Sequence, residues 1–253
     1  MGRYTIENWF PEDPVFWSKT GRKIAGRNLW ISIPALLIAF SVWMMWSIVI
    51  VQMERLGFSF DPDPAASKAM LYALPAIAGL AGATLRIPNS FLISMGGGRN
   101  VVFINTLLLF IPAFGAGMAL QDKETPYWAF TLLAATSGFG GGNFASSMSN
   151  ISNFYPKKMA GTALGLNAGL GNLGVSLMQW LLPITMGSAI FGSIAGSGFM
   201  LTSGKGLNQK SVEIFIQNAG WTWVPLLLIV VAAAFVGMNN LKTVSPNTGN
   251  PII

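Results

Sequence analysis

Apolar residues recur along the chain in long blocks, separated by short polar segments. Six of these blocks are long enough to cross a hydrocarbon core of about 30 Å at about 1.5 Å per helical residue: Leu29–Met53, Leu71–Met95, Val101–Leu120, Tyr127–Asn150, Thr162–Met186 and Trp221–Met238. The pattern predicts an all-α integral membrane protein. It divides into a polar N-terminal segment (1–28), a bundle of six membrane helices (29–238) and a polar tail (239–253). The stretch Gly187–Gly220 fits the pattern least well. It begins Gly/Ser-rich and mildly apolar, so either the fifth helix extends into it or a short surface helix succeeds it.

Composition supports the bilayer as solvent. Of 253 residues, 52% are hydrophobic and only 9% charged, against about 25% charged in an ordinary soluble domain, and the mean hydropathy is +0.54. The inventory also excludes chemistry. Without cysteine or histidine there is no thiolate nucleophile, no Cys or His metal set and no Ser-His-Asp triad. No enzyme activity, metal or cofactor is therefore expected. The net charge of +6 is spread over the inter-helix segments and forms no basic stripe, so no nucleic-acid partner is expected. The first 28 residues lack the basic-then-apolar order of a cleavable signal.

Charge placement predicts orientation. With both termini cytoplasmic, nine of the fifteen Lys and Arg residues fall inside and five outside, the sense required by the positive-inside rule. All nine acidic residues fall outside the six blocks. Arg86 is the one charge left within them.

Arg86 sits in Leu85-Arg86-Ile87-Pro88-Asn89-Ser90, a few residues beyond the middle of the second block. An arginine at the centre of a spanning helix costs about 2.5–3.5 kcal/mol on insertion scales, and no carboxylate lies at its depth to offset that. A guanidinium facing a cavity presents a fork of parallel donors that suits a small planar anion. Snorkelling to the interface, or bonding to backbone carbonyls, are the alternatives. The fourth and fifth blocks are also unusual. Gly138-Phe139-Gly140-Gly141-Gly142-Asn143-Phe144-Ala145-Ser146-Ser147 is succeeded by Gly161, Gly165, Gly169, Gly171 and Gly174. Small residues at such spacing let helices pack closely. The asparagines Asn143, Asn150 and Asn172 need hydrogen-bond partners there, so they predict a polar cavity or an inter-helix network whose NH₂ groups can donate to an anion. Asn143, Ser146, Ser147 and Asn150 share one helix face. Trp43 and Trp46 lie deep in the first block, where core packing is the expectation.

These residues resemble a known family. Pro11-Glu12-Asp13-Pro14, Phe16-Trp17, Arg27-Asn28-Leu29-Trp30-Ile31-Ser32, Leu85-Arg86-Ile87-Pro88, Asn143-Phe144-Ala145-Ser146-Ser147-Met148, Phe154-Tyr155-Pro156-Lys157 and the glycine-rich Gly161–Gly174 run are similar to the N-terminal half of bacterial nitrate/nitrite porters of the major facilitator type. The likeness covers Pro11 to about Met238. It implies the N-terminal six-helix bundle of a major facilitator fold in the bacterial inner membrane, with the anion bound near the midplane between two halves. Arg86 matches the family's helix-two arginine, Asn172 its helix-five asparagine and Phe144 its helix-four phenylalanine. Asn143 and Gly171, in the adjoining motifs, join them as candidate substrate-binding residues.

The resemblance implies nitrate and nitrite transport by alternating access, with nitrate/nitrite exchange preferred to proton symport because the blocks hold no ionisable acid or histidine. Gly96-Gly97-Gly98-Arg99-Asn100 lacks the acid of the general facilitator motif, as is usual in this family. A full transporter has about twelve spans, whereas this chain has six and ends in Ser245-Pro246-Asn247-Thr248-Gly249-Asn250, which reads as the start of a central linker. The expected partners are therefore the two anions, the lipid bilayer and a separate or missing C-terminal half. A non-transporting fragment, or a subunit requiring that half, is the rival reading.

Overall fold

The computed structural model describes residues 4–203 and 210–242. The linker predicted from residue 243 onward, and Lys205 of the supposed outer loop, lie outside the described residues.

Six long helices make up the bundle: α1 (Pro14–Leu56), α2 (Pro64–Gly96), α3 (Gly98–Ala119), α4 (Tyr127–Phe154), α5 (Lys157–Met186) and α6 (Asn218–Gly237). Each contains one of the predicted blocks, give or take a residue or two at the ends. By length and composition α1, α2, α3 and α6 are apolar enough to cross a membrane. α4 and α5 have 28 and 30 residues, or about 42–45 Å of helix. Their glycines, serines and asparagines dilute the apolar signal. These are the two helices whose sequences carry the most polar chemistry.

The helices run further than the apolar blocks. α1 starts well before Leu29, where Asp13 accepts from the Val15 amide at 2.8 Å and Pro14 occupies the first helical position. α2 starts in the same manner: Asp63 accepts from Ala65 and Ala66, and Pro64 comes next. Capping chemistry sets these ends, so they lie outside the apolar blocks. α1 stops at Gly57, whose φ of 81° is a left-handed cap that closes the helix onto Glu54 and Met53 carbonyls.

α4 is the central helix. It packs most extensively on α2 and also against α1, α3 and α5, while α5 leans on α1, and α6 on α1 and α3. The main core joins Trp46, Phe130, Leu74, Leu109, Met178 and Trp223, all fully buried. Glycines permit the closeness of α4. A Cβ on Gly140 would lie 2.1 Å from the Ala39 carbonyl oxygen, and one on Gly138 would lie 2.7 Å from the Gly82 nitrogen. For α4 the expectation of close packing therefore holds.

The 187–220 stretch is neither a longer α5 nor a surface helix. α5 ends at Met186, and after a short 3₁₀ turn (Gly192–Ile194) two strands form a hairpin, β2 (Phe199–Ser203) against antiparallel β3 (Lys210–Ile214). Phe199 packs edge-on against Phe58, and the Lys123 ammonium lies 5.0 Å from its ring centroid. Strand propensity in Phe199-Met200-Leu201-Thr202 and Val212-Glu213-Ile214 is the local cause.

At the opposite end, β1 (Thr5–Ile6) pairs in parallel with β4 (Asn240–Leu241). The segments before α1 and after α6 therefore meet at one end of the bundle, as an even number of crossings requires. Arg99 is buried there. Its guanidinium donates to the Phe235 carbonyl and to Asn100 Oδ1, and stacks 4.2 Å from the Tyr4 ring centroid. A cation on the last turn of α6 also meets the negative end of the helix dipole.

Candidate functional site

Arg86 lies well inside α2, half-buried. Its Nε donates to the Gly141 carbonyl of α4 at 3.2 Å. Two aromatic rings flank the guanidinium, with centroids at 5.5 Å (Trp43) and 5.3 Å (Phe144) from Cζ. Such contacts contribute about 0.5–2 kcal/mol each. The only ion pair among the described residues joins Lys68 and Glu54 near the other end of α2, so no described carboxylate neutralises Arg86. Of the two alternatives to anion binding, carbonyl bonding is therefore met by Nε alone. The terminal NH₂ groups, which form the fork, make no hydrogen bond among the described residues.

Trp43 holds this arrangement together. Its indole Nε1 donates to the Ala78 carbonyl at 2.7 Å. Any Cβ on Gly82 or Gly141 would come within 2.7 Å of the indole, so the ring fills a slot that only glycines leave open. Core packing, the sequence expectation for Trp43, is thus part of the picture. The rest is that the same ring borders the arginine. The sequence signal is the pair of glycines facing it from α2 and α4, which no periodicity along one helix reveals.

The other predicted residues take different places. Phe144 is beside Arg86 and packs on Phe40 with centroids 5.9 Å apart. Asn172 is exposed on α5, its amide donating to the Ala168 carbonyl of its own helix at 2.9 Å. It shares that helix with Gly161, Gly165 and Gly169, around which no described atom lies within 4 Å of a would-be Cβ. These three glycines do not pack within this bundle, unlike those of α4. Gly171 is buried, and a Cβ there would meet Leu36 Cδ2 at 2.6 Å; its place is the α1–α5 contact. Asn143 is fully buried. Its Oδ1 accepts from Ser146 at 3.1 Å, while Nδ2 has no partner among the described residues.

The predicted asparagine network exists, with partly different members. Asn105 of α3 donates to Asn89 of α2 at 2.6 Å and to Ser146 of α4 at 3.3 Å. A second cluster links Ser32 of α1, Ser147 of α4 and Asn167 of α5, each contact at 2.8 Å. Asn172 is in neither. Asn89, Asn105 and Asn167 escape a reading of the sequence because each is a lone amide in its block, and their convergence depends on how helices pack. The arrangement as a whole offers an uncompensated cation between aromatic walls, with buried amides close by on the same helices.

Comparison with known proteins was consistent along nearly the whole chain. Over 239 residues it is 44% identical to a protein named nitrate/nitrite transporter NarU from Salmonella typhimurium, an alignment spanning 94% of this chain and 49% of the relative. A NarU from Escherichia coli is 43% identical over 241 residues, with 95% and 49% covered. A Thermus thermophilus protein named "Probable nitrate/nitrite antiporter NarK2" is 41% identical over 236 residues, with 93% and 51% covered. The chain thus spans about half the length of these relatives. Residues 8–179 match the Major Facilitator Superfamily, and together with the helical membrane bundle this establishes that the chain belongs to that superfamily.

Proposed function

We propose that this chain is the N-terminal half-bundle of a nitrate/nitrite transporter of the bacterial inner membrane, with both termini cytoplasmic, and that Arg86 is its anion-binding group. The observation that carries the reading is the half-buried guanidinium with its terminal donors unengaged and no acid beside it among the described residues. A planar oxyanion takes two parallel hydrogen bonds from that fork, while Phe144 and Trp43 exclude water and keep the field of the charge unscreened. Asn172, exposed on α5, is a second donor for an anion held at the face of this bundle. Asn143 and Gly171 support the site from within the packing.

The names of the relatives point to the same anions. Alternating access requires two bundles rocking about a shared site. The open stripe Gly161–Gly165–Gly169 on the helix of Asn172 supports a second bundle that closes on this one. Exchange is the preferred mode, since no described acid accompanies Arg86 to carry a proton.

The test is nitrate-driven nitrite efflux from proteoliposomes holding this half paired with a C-terminal half, at clamped pH on both sides. Flux that persists without a proton gradient and disappears in Arg86→Gln is expected. Full flux in that variant, or flux that requires the gradient, overturns the assignment or the exchange mode respectively.

A further inference from the structure

A cavity of ≈ 440 Å³ opens at the end of the bundle where β1 and β4 meet, away from Arg86. Its polar lining offers donors with nothing among the described residues to accept from them. Asn150 is 3% exposed, and its Nδ2 has no such partner. The indole Nε1 of Trp9 is likewise buried and without one, the ring being fixed by edge contacts with Phe16 and Phe154 at 5.2 and 5.4 Å. The Asn150 amide lies directly on Gly98, close enough that a Cβ there would overlap its Oδ1. Gly98 is the first residue of α3, whose opening turn carries the positive end of a 22-residue helix. Asn240 Oδ1 accepts from the Asn100 amide at 3.4 Å, a long contact that leaves most of that end free. Lys242 adds a cation to the lining, and Glu7 an anion.

Buried donors without acceptors are costly unless something accepts from them. Two such donors, a helix N-terminus and a lysine converge on one space, and we infer that this cavity is a second oxyanion site. Its ligand is a small monovalent oxyanion. One lysine and a helix end, partly offset by Glu7, compensate a single negative charge but not the double charge of phosphate. The identity of the anion as nitrate or nitrite rests on the transport reading above. Ser90 and Ser94 also line the cavity. They stand four and eight residues after Arg86, on the same face of α2, or about 6 and 12 Å along the helix axis. This polar track connects the cavity to the arginine. On the proposed topology the cavity is the inner antechamber of the transport site, collecting or releasing the anion at the cytoplasmic mouth.

Side-chain NMR of the ¹⁵N-labelled chain in detergent tests this, with potassium nitrate replacing potassium chloride at constant ionic strength. The Asn150 amide and Trp9 indole signals, identified by their loss in Asn150→Leu and Trp9→Phe, should move along one saturation curve. They should do so in wild type and in Arg86→Gln alike. Trp9→Phe, which keeps an aromatic ring and removes the donor, should weaken half-saturation at Asn150 about tenfold. Signals that stay still while the Arg86 Nε resonance responds overturn the second site and leave the Arg86 reading standing. A response abolished by Arg86→Gln also overturns it, since the change is then transmitted from the first site. Movement at Asn150 with no response at Arg86 supports the antechamber and counts against the Arg86 assignment instead. Equal shifts from inorganic phosphate, or from phosphatidylglycerol nanodiscs without nitrate, overturn the monovalent ligand in favour of a phosphate group.

Discussion

Arg86 shows how far a single residue can be read. Its charge, depth and lack of an acid partner are visible along the chain, because insertion cost and charge inventory are properties of composition and position. The surroundings are only half legible: Phe144 comes from the motif, while Trp43 comes into view once α1, α2 and α4 are packed. Arg86→Lys retains the charge and loses the planar fork. Nitrate binding at this site should weaken about tenfold or more, measured by displacement of the Arg86-dependent fraction of bound ¹⁵N-nitrate. Trp43→Phe retains a ring and deletes the donor to Ala78, leaving a carbonyl short of its partner. A loss of about 1 kcal/mol in unfolding stability is expected, read by denaturant titration in detergent.

At the scale of helices, glycine has two separate uses that look identical in the sequence. Gly140 brings α4 against the α1 backbone, whereas Gly165 faces open space. Gly140→Ala should therefore destabilise the bundle by about 1–3 kcal/mol, since neither backbone can yield. Gly165→Ala should be neutral or stabilise the isolated chain by up to about 1 kcal/mol through helix propensity, and should hinder pairing with a second bundle. Thermal unfolding of both variants separates the two roles. The outer ends of α1 and α2 carry a different coupling. Lys68 Nζ sits 2.8 Å from Glu54 Oε1, beyond the apolar blocks ending at Met53 and starting at Leu71, and the Tyr72 hydroxyl donates to the same carboxylate. The hydrogen bond and charge of Lys68 hold the Glu54 carboxyl below its ordinary 4.5. A depressed carboxylate contributes stability that is present above the ordinary value and is lost as pH falls through the lowered one. A carbon-detected titration of Glu54 should show the depressed midpoint, and Lys68→Met should return it toward the ordinary range.

For the whole molecule, the closure of the bundle at the β1–β4 end rests on Arg99, the buried cation that bridges α3, the last turn of α6 and Tyr4. Arg99→Met should cost about 1–3 kcal/mol, with faster hydrogen exchange at Asn239, Asn240 and Leu241 than in the wild type. The end-to-end organisation is partly legible in the sequence, since an even number of crossings places both flanking segments together. The strand pairing that joins them is not, because two-residue strands leave no periodicity to detect.

The chain by itself determined its solvent, the approximate positions of six helices, and the presence of one charge at membrane depth without a counter-ion. These come from composition, block length and inventory, all of which are additive along a sequence. Tertiary structure alone decided which glycines pack, which amides meet, that Trp43 borders Arg86 and that Gly171 supports α1 while Asn172 stays on the open face of α5. These depend on the rotation and approach of neighbouring helices, which are set by the simultaneous fit of many small side chains from different helices.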